Sequence, residues 1–308
     1  MMMYVWLLIG FILLVKGADY FVEGSSSVAK LLRVPSIVIG LTIVAFGTSA
    51  PELAVSITAA ITGNNEIAVG NVIGSNVFNL LVVVGACGAI APMAIEKKIL
   101  NGDFLLSIAV AAVLTVMLMF GSGVGRGEGL LLLVLFVYFL VKTVRSAMMN
   151  RVSAAEKIEA LSPFLSIVYI VAGIIAIVLG GDFVVDSASK IAASFGLSQT
   201  LIGLTIVAMG TSLPELVTSV VASRKGENGL ALGNVVGSNL FNILMVLAAS
   251  AAISPIKVSI LSAYDALFLV AASCIVYFLA KSKFQISRRE GILMLGMYAS
   301  YMVYIVAR

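Results

Sequence analysis

The chain is written twice. An offset of 163 residues, the distance from Glu52 to Glu215, carries Gly17, Asp19, Gly40, Gly47, Pro51, Gly70, Gly74, Asn79 and Pro92 onto Gly180, Asp182, Gly203, Gly210, Pro214, Gly233, Gly237, Asn242 and Pro255 without a gap. Two stretches anchor this alignment. Ala45-Phe-Gly-Thr-Ser-Ala-Pro-Glu-Leu53 returns as Ala208-Met-Gly-Thr-Ser-Leu-Pro-Glu-Leu216. Gly70-Asn-Val-Ile-Gly-Ser-Asn-Val-Phe-Asn79 returns as Gly233-Asn-Val-Val-Gly-Ser-Asn-Leu-Phe-Asn242. A duplicated chain folds as two copies of one unit, and a site shared between the copies is built from matched residues.

Composition decides where that unit lives. Apolar residues fill 61% of 308 positions and charged residues 11%, and the mean hydropathy is +1.15. A soluble domain carries about 25% charged residues, so this chain has too few to solvate its surface and is read as a polytopic membrane protein. The first apolar run continues from Tyr4 past Lys16 to Val22 with no small-residue cleavage site, and is read as a retained helix. There is no histidine, which removes histidine metal sites, general bases and proton relays. Cys87 and Cys274 sit in apolar runs without ligand spacing and read as core residues. A formal charge of +4 is too slight to imply nucleic acid.

Spans of about 20 apolar residues mark transmembrane helices. They predict about ten here: 4–29, 36–62, 67–90, 104–120 and 129–146, then 164–192, 199–223, 229–253, 263–280 and 291–306. Residues 149–162 form a short polar linker between a first unit, 1–148, and a second, 163–308. Basic residues concentrate at alternate helix ends: Lys30 and Arg33, Lys97 and Lys98, Lys142 to Lys157, Arg224 and Lys225, and Lys281 to Arg289. The opposite ends hold only Arg126, Lys190, Lys257 and Arg308. The positive-inside rule then places the linker in the cytoplasm and both termini outside a cell membrane. Five helices per unit is an odd number, so the second unit enters the membrane upside down. The expected fold is all-α, with two inverted-topology five-helix repeats, an arrangement characteristic of secondary transporters.

The chemistry lies in the repeated stretches. Pro51 has no N–H, so the carbonyl of Gly47 loses its helical donor, and Glu52 follows directly, with Thr48 and Ser49 on the same loosened turn. Gly210, Thr211, Ser212, Pro214 and Glu215 repeat the arrangement. Ser75 with Asn79, and Ser238 with Asn242, stand four apart on one helix face each. Gly70 and Gly74 are expected to let the second and third helices approach closely. Carboxylates, hydroxyls and freed carbonyls make an all-oxygen set, which hard cations prefer; Ca²⁺ takes six to eight oxygens. Two negative charges match one divalent ion or two monovalent ions. Lys16, opposite Leu179 in the repeat, either pairs with Asp19 or snorkels. A channel would place such groups in rings made by subunit symmetry, and an intramembrane enzyme would need a nucleophile–base pair or nucleotide loop, neither of which is visible.

The paired GTS-x-PE and GNxxGSNxFN motifs resemble the two alpha repeats of the calcium/cation antiporter superfamily, in its prokaryotic sodium/calcium exchanger-like branch. The resemblance covers the whole chain. It implies an antiporter that exchanges Ca²⁺ for Na⁺ by alternating access, with the ions as substrates and no cofactor, working as a monomer. It also implies that the first and sixth helices slide across the ion site. Glu52 and Glu215 would be the main calcium ligands, with backbone carbonyls of Thr48 and Thr211. Ser49, Ser212, Ser75 and Ser238, with carbonyls of Ala45 and Ala208, would complete flanking sodium sites, and Asn79 would line the centre. Exchangers of this kind often carry an aspartate where this chain has Asn242. That departure leaves two central acids and keeps H⁺/Ca²⁺ exchange, or exchange of another divalent cation, as the alternative.

Overall fold

The computed structural model describes residues 2–121, 123–149, 160–196, 205, 206 and 208–307. The first half contains α1 (Met2–Leu32), α2 (Ser36–Thr48), α3 (Ala50–Ile61), α4 (Asn65–Ile90), α5 (Lys97–Gly121) and α6 (Arg126–Met149). The second contains α7 (Pro163–Ser194), α8 (Ala208–Gly210), α9 (Leu213–Arg224), α10 (Asn228–Ile253), α11 (Ile260–Lys283) and α12 (Arg288–Ala307). Among the described residues eight helices are long and apolar enough to cross a membrane, and α2 with α3, bent by 49°, makes a ninth span. The helix expected over 199–223 is described only as α8 and α9, the remainder lying outside the described residues together with most of the linker.

The expected elements are present, with two corrections. The span read as one helix over 36–62 breaks at Ser49, whose φ and ψ of −86° and 11° end α2 before Pro51 opens α3. A proline at the first turn of a helix costs nothing, because its missing N–H has no intrahelical acceptor there. The membrane-embedded polar motif is therefore a helix junction and not a kinked turn. Among the described residues four two-residue strands also appear that hydropathy does not announce: β1 (Met93–Ala94), β2 (Gly123–Val124), β3 (Ile256–Lys257) and β4 (Gln285–Ile286).

Those strands report the symmetry. β1 pairs antiparallel with β4, and β2 with β3. The offset of 163 carries β1 onto β3 and, within one residue, β2 onto β4, so each pairing joins the two halves and maps onto the other. The long helices agree. A Cβ at Gly10 would meet the Gly180 backbone oxygen at 2.9 Å, and one at Gly17 the Gly173 oxygen at 3.0 Å. As one residue number rises the other falls, so α1 and α7 run antiparallel, crossing with backbones in contact because no side chain intervenes. The second half is thus inverted relative to the first.

Burial sorts the helices into layers. In the apolar windows of α4 and α10, 72% and 78% of residues are buried, against 22% in α6 and 17% in α12. Leu131, Val134 and Tyr138 of α6 face outward with Ile292 and Val303 of α12, as lipid-facing residues do. Gly233 and Gly237 on α10 admit α2, where added Cβ atoms would meet the Ile37 oxygen at 2.6 Å and Ala45 Cβ at 2.7 Å. Gly70 and Gly74 meet nothing within 4 Å among the described residues, so the expected glycine contact is made across the halves by their counterparts.

Tracing the chain puts β1, β4, the end of α1 and the start of α7 at one end of the bundle, and β2, β3, Met2 and Ala307 at the other. The first end holds Lys97, Lys98, Lys281, Lys283, Arg288 and Arg289 beside the strands, with Lys97 Nζ 4.7 Å from the Phe284 ring centre.

Candidate functional site

Where α2 gives way to α3, and α8 to α9, the chain brings matched polar residues to the centre of the bundle. Each junction exposes the first turn of a helix, where backbone N–H groups lack intrahelical acceptors. Glu52 and Glu215 stand in those first turns, where a negative charge is favoured. Both glutamates are completely buried.

Their hydrogen bonds obey the offset. Ser49 Oγ donates to Glu215 Oε1 at 2.9 Å, and Ser212 Oγ donates to Glu52 Oε1 at 3.0 Å. Ser75 Oγ lies 3.3 Å from Glu52 Oε1, and Ser238 Oγ 3.4 Å from Glu215 Oε1. Each Oε1 therefore accepts one hydroxyl from its own half and one from the other half. Each Oε2 is buried with no donor among the described residues. A carboxylate oxygen shut away from water and unpaired costs free energy that a cation would recover.

A second ring of amides fixes the glutamate turns. Asn71 Nδ2 donates to the Glu52 carbonyl at 3.2 Å and to Ser56 Oγ at 2.9 Å. Asn234 Nδ2 does the same to the Glu215 carbonyl at 3.5 Å and Ser219 Oγ at 2.9 Å. Thr48 Oγ1 reaches Asn234 Oδ1 at 3.0 Å, and Thr211 Oγ1 reaches Asn71 Oδ1 at 3.4 Å. The threonine hydroxyls thus hold the asparagines that hold the glutamates. Thr48 Oγ1 also lies 3.1 Å from the Val44 carbonyl. The Ala45 carbonyl accepts from Ser49 N at 3.0 Å and lies 3.5 Å from Thr48 Oγ1, and Ala208 opens α8. Asn71, Asn234, Ser56 and Ser219 were not among the expected site residues. The signal of the two asparagines was present in the repeated motif, but sequence does not distinguish a bracing amide from a packed one.

On the dyad between the halves, Asn76 Nδ2 donates to the Asn239 carbonyl at 3.1 Å and Asn239 Nδ2 to the Asn76 carbonyl at 3.4 Å. Here the symmetry ends. Asn242 Nδ2 donates to Asn76 Oδ1 at 3.0 Å, whereas Asn79 is fully buried and neither of its amide atoms has a partner among the described residues. Both asparagines open a π-helical segment, Asn79–Val83 and Asn242–Leu247. The extra residue in such a turn widens the helix, and these bulges concentrate at functional sites.

Above the junctions lie the long helices: a Cβ at Gly47 would meet Ile174 Cδ1 of α7 at 2.8 Å and Phe21 Cζ of α1 at 3.2 Å, and one at Gly210 would collide with Val185 of α7. Asp19 pairs with Lys225, Nζ to Oδ1 3.3 Å, and not with the exposed Lys16.

An inverted pair of helical repeats, with broken helices meeting at buried acids in the bundle core, defines a membrane transporter of the secondary type. The family model described as "Sodium/calcium exchanger protein" matches residues 2–144 and again residues 165–307, and the chain belongs to that family. It is 38% identical to the putative antiporter CaxA of Alkalimonas amylolytica, covering 96% of each chain. It is 36% identical to the sodium/calcium exchanger MaX1 of Methanosarcina acetivorans, again over 96% of each. Among solved structures it superposes on the sodium-calcium exchanger NCX_Mj with a TM-score of 0.87 at 33% identity, covering 98% of each chain. The protein is a multi-pass cation antiporter and not an enzyme, and ions are its substrates with no cofactor.

Proposed function

We propose that this antiporter exchanges Ca²⁺ for Na⁺ across the cell membrane, through one site centred on Glu52 and Glu215. The observation that carries the reading is the pair of buried Oε2 atoms without donors among the described residues, on carboxylates whose Oε1 atoms each accept from two serine hydroxyls. That all-oxygen surround suits hard cations of either valence. In this reading Glu52 and Glu215 bind calcium with carbonyls of Thr48 and Thr211. Ser49, Ser75, Ser212 and Ser238, with carbonyls of Ala45 and Ala208, hold sodium, and Asn79 and Asn242 line the centre.

The hydroxyls now bonded to each Oε1 would turn toward an arriving ion, as a hydroxyl both donates and accepts. Calcium and sodium would compete for the same two charges, so only one load is carried at a time. An empty, doubly charged site resists crossing the apolar barrier, which makes exchange obligatory. The units 1–148 and 163–308 act as the two inverted repeats, joined by a cytoplasmic linker at 149–162. Both termini lie outside, a placement supported by the basic residues gathered at the β1–β4 end. One chain contains the whole pair of acids, so a monomer suffices.

The test is ⁴⁵Ca²⁺ uptake into proteoliposomes with sodium, proton and potassium gradients imposed separately. Uptake driven by internal sodium without a pH gradient is expected. Uptake driven by protons alone would replace sodium with H⁺ as the counter-ion.

A further inference from the structure

Away from the glutamates, α1 is fastened to the α9–α10 turn. Ser26 Oγ, on the buried face of α1, donates to Glu227 Oε1 at 2.5 Å. Two turns earlier in α1, Lys225 Nζ lies 3.3 Å from Asp19 Oδ1 and donates to the Asp19 carbonyl at 3.1 Å. α1 also packs along α9, where Thr218 and Ala222 have no exposed surface.

The second half has no residues with which to repeat this tie. The offset of 163 carries Asp19 and Ser26 onto Asp182 and Ser189, but Lys225 and Glu227 onto Thr62 and Asn64. Those two positions therefore offer neither an ammonium nor a carboxylate. Thr62 Oγ1 donates instead to the Thr58 carbonyl at 2.9 Å and accepts from Asn64 Nδ2 at 3.1 Å, so both side chains are engaged within their own turn. Among the described residues Ser189 Oγ is buried without a partner, and α7 does not pack on α3 as α1 packs on α9. Val55, the counterpart of Thr218, is 39% exposed.

Alternating access uncovers a site from each end in turn. At the β1–β4 end that requires α1 to move across α9. Packed helices slide past one another in small steps, because one apolar contact replaces another. A hydroxyl bonded to a carboxylate has no such replacement. The bond is directional, is made in one register only, and is roughly twice as strong as one between neutral groups.

We propose that Ser26 and Glu227, supported by Asp19 and Lys225, form a latch that fixes α1 in the register closing the β1–β4 end. The latch breaks whenever that end opens, and the opposite end has none. This inference rests on the antiport function proposed above. Lys225 is the lesser member, because its ion pair is partly solvated.

The experiment measures the distance between spin labels on Leu32→Cys of α1 and Arg224→Cys of α9, both exposed positions. It uses the full-length protein in lipid nanodiscs, with Cys87→Ala and Cys274→Ala. Ser26→Ala is expected to raise the ratio of displaced to latched α1 by about tenfold, the size of one lost bond to a charged group. Glu227→Gln should shift it in the same direction. Ser189→Ala, which has no bond to lose among the described residues, is expected to leave the distribution unchanged. Equal distributions in Ser26→Ala and the wild type overturn the proposal. An equal shift in Ser189→Ala overturns it too, since the latch would no longer be one-sided. Should Ser26→Ala fail to fold, Glu227→Gln decides by the same criterion. Uptake of ⁴⁵Ca²⁺ by the unlabelled protein separates the two readings: without counter-ion-driven uptake the exchange function falls, while the distances still decide the latch.

Discussion

The two halves of the molecule agree at the glutamates and disagree around them. At the centre, Ser49 to Glu215 and Ser212 to Glu52 differ by 0.1 Å, as close as two unequal sequences come to a dyad. At the β1–β4 end of α1 the dyad fails. Ser26 Oγ bonds Glu227 Oε1 at 2.5 Å and Lys225 bridges to Asp19, which ties α1 to the α9–α10 turn. A cavity of about 550 Å³ lined by Glu23, Lys30 and Lys225 lies beside that tie. The counterparts of these residues in the other half are Ser189 and Asp182 on α7 and Thr62 and Asn64 between α3 and α4. Among the described residues Ser189 Oγ is buried without a partner, and α7 does not pack on α3 as α1 packs on α9. The lesson is that the candidate site keeps its symmetry while the helices that cover it do not. A site must accept the same ion from both sides, but a protein resting in one state closes only one of them.

The largest effects should come from removing one acid at a time. Glu52→Gln and Glu215→Gln are each expected to lower ⁴⁵Ca²⁺ uptake by about 100-fold or more, because a single remaining carboxylate leaves a bound divalent cation with an uncompensated buried charge. If the two variants differed by more than about tenfold, the functional equality of the halves would be broken.

Next come the cross-half hydroxyls. Ser49→Ala and Ser212→Ala each delete a hydrogen bond to a charged group, worth about 1.5–3 kcal/mol. Both should reduce uptake by about tenfold or more, and comparably. Ser75→Ala and Ser238→Ala, whose bonds are longer, should cost less.

Stability should separate what activity does not. Asn76→Ala is expected to destabilise the protein more than Asn239→Ala, by about 1 kcal/mol in unfolding measured in detergent. Asn76 serves both Asn239 and Asn242 through its side chain, whereas Asn239 Oδ1 has no donor. Equal losses would mean that the asymmetry on the dyad carries no energy. Smallest of all, Lys225→Met should change stability by no more than about 1 kcal/mol, since its ion pair with Asp19 is partly solvated.

Much of this was legible in the residues. The offset of 163 survives as strand pairings, helix contacts and hydrogen bonds because a duplicated chain repeats its packing wherever it repeats its side chains. The GTS-x-PE stretch announced itself because hydroxyls, a proline and a carboxylate are costly in an apolar span. Hydropathy did not show the break at Ser49. A proline reads the same whether it kinks a helix or opens one, and the choice depends on what the freed groups of each half find in the other. The four short strands escaped for a similar reason: two residues carry no periodicity, and each strand exists only because its partner lies in the opposite half.

By itself, then, the sequence determined the membrane class, the inverted pair of repeats, and two acids as the centre of the site. Local composition and spacing carry those facts. Only the tertiary structure decided that Ser49 serves Glu215 and Ser212 serves Glu52, that Asn71 and Asn234 brace the glutamate turns, and that Asn79 is left unbonded while Asn242 is held. Each of these is a contact between distant residues, so its existence depends on how two inverted copies meet.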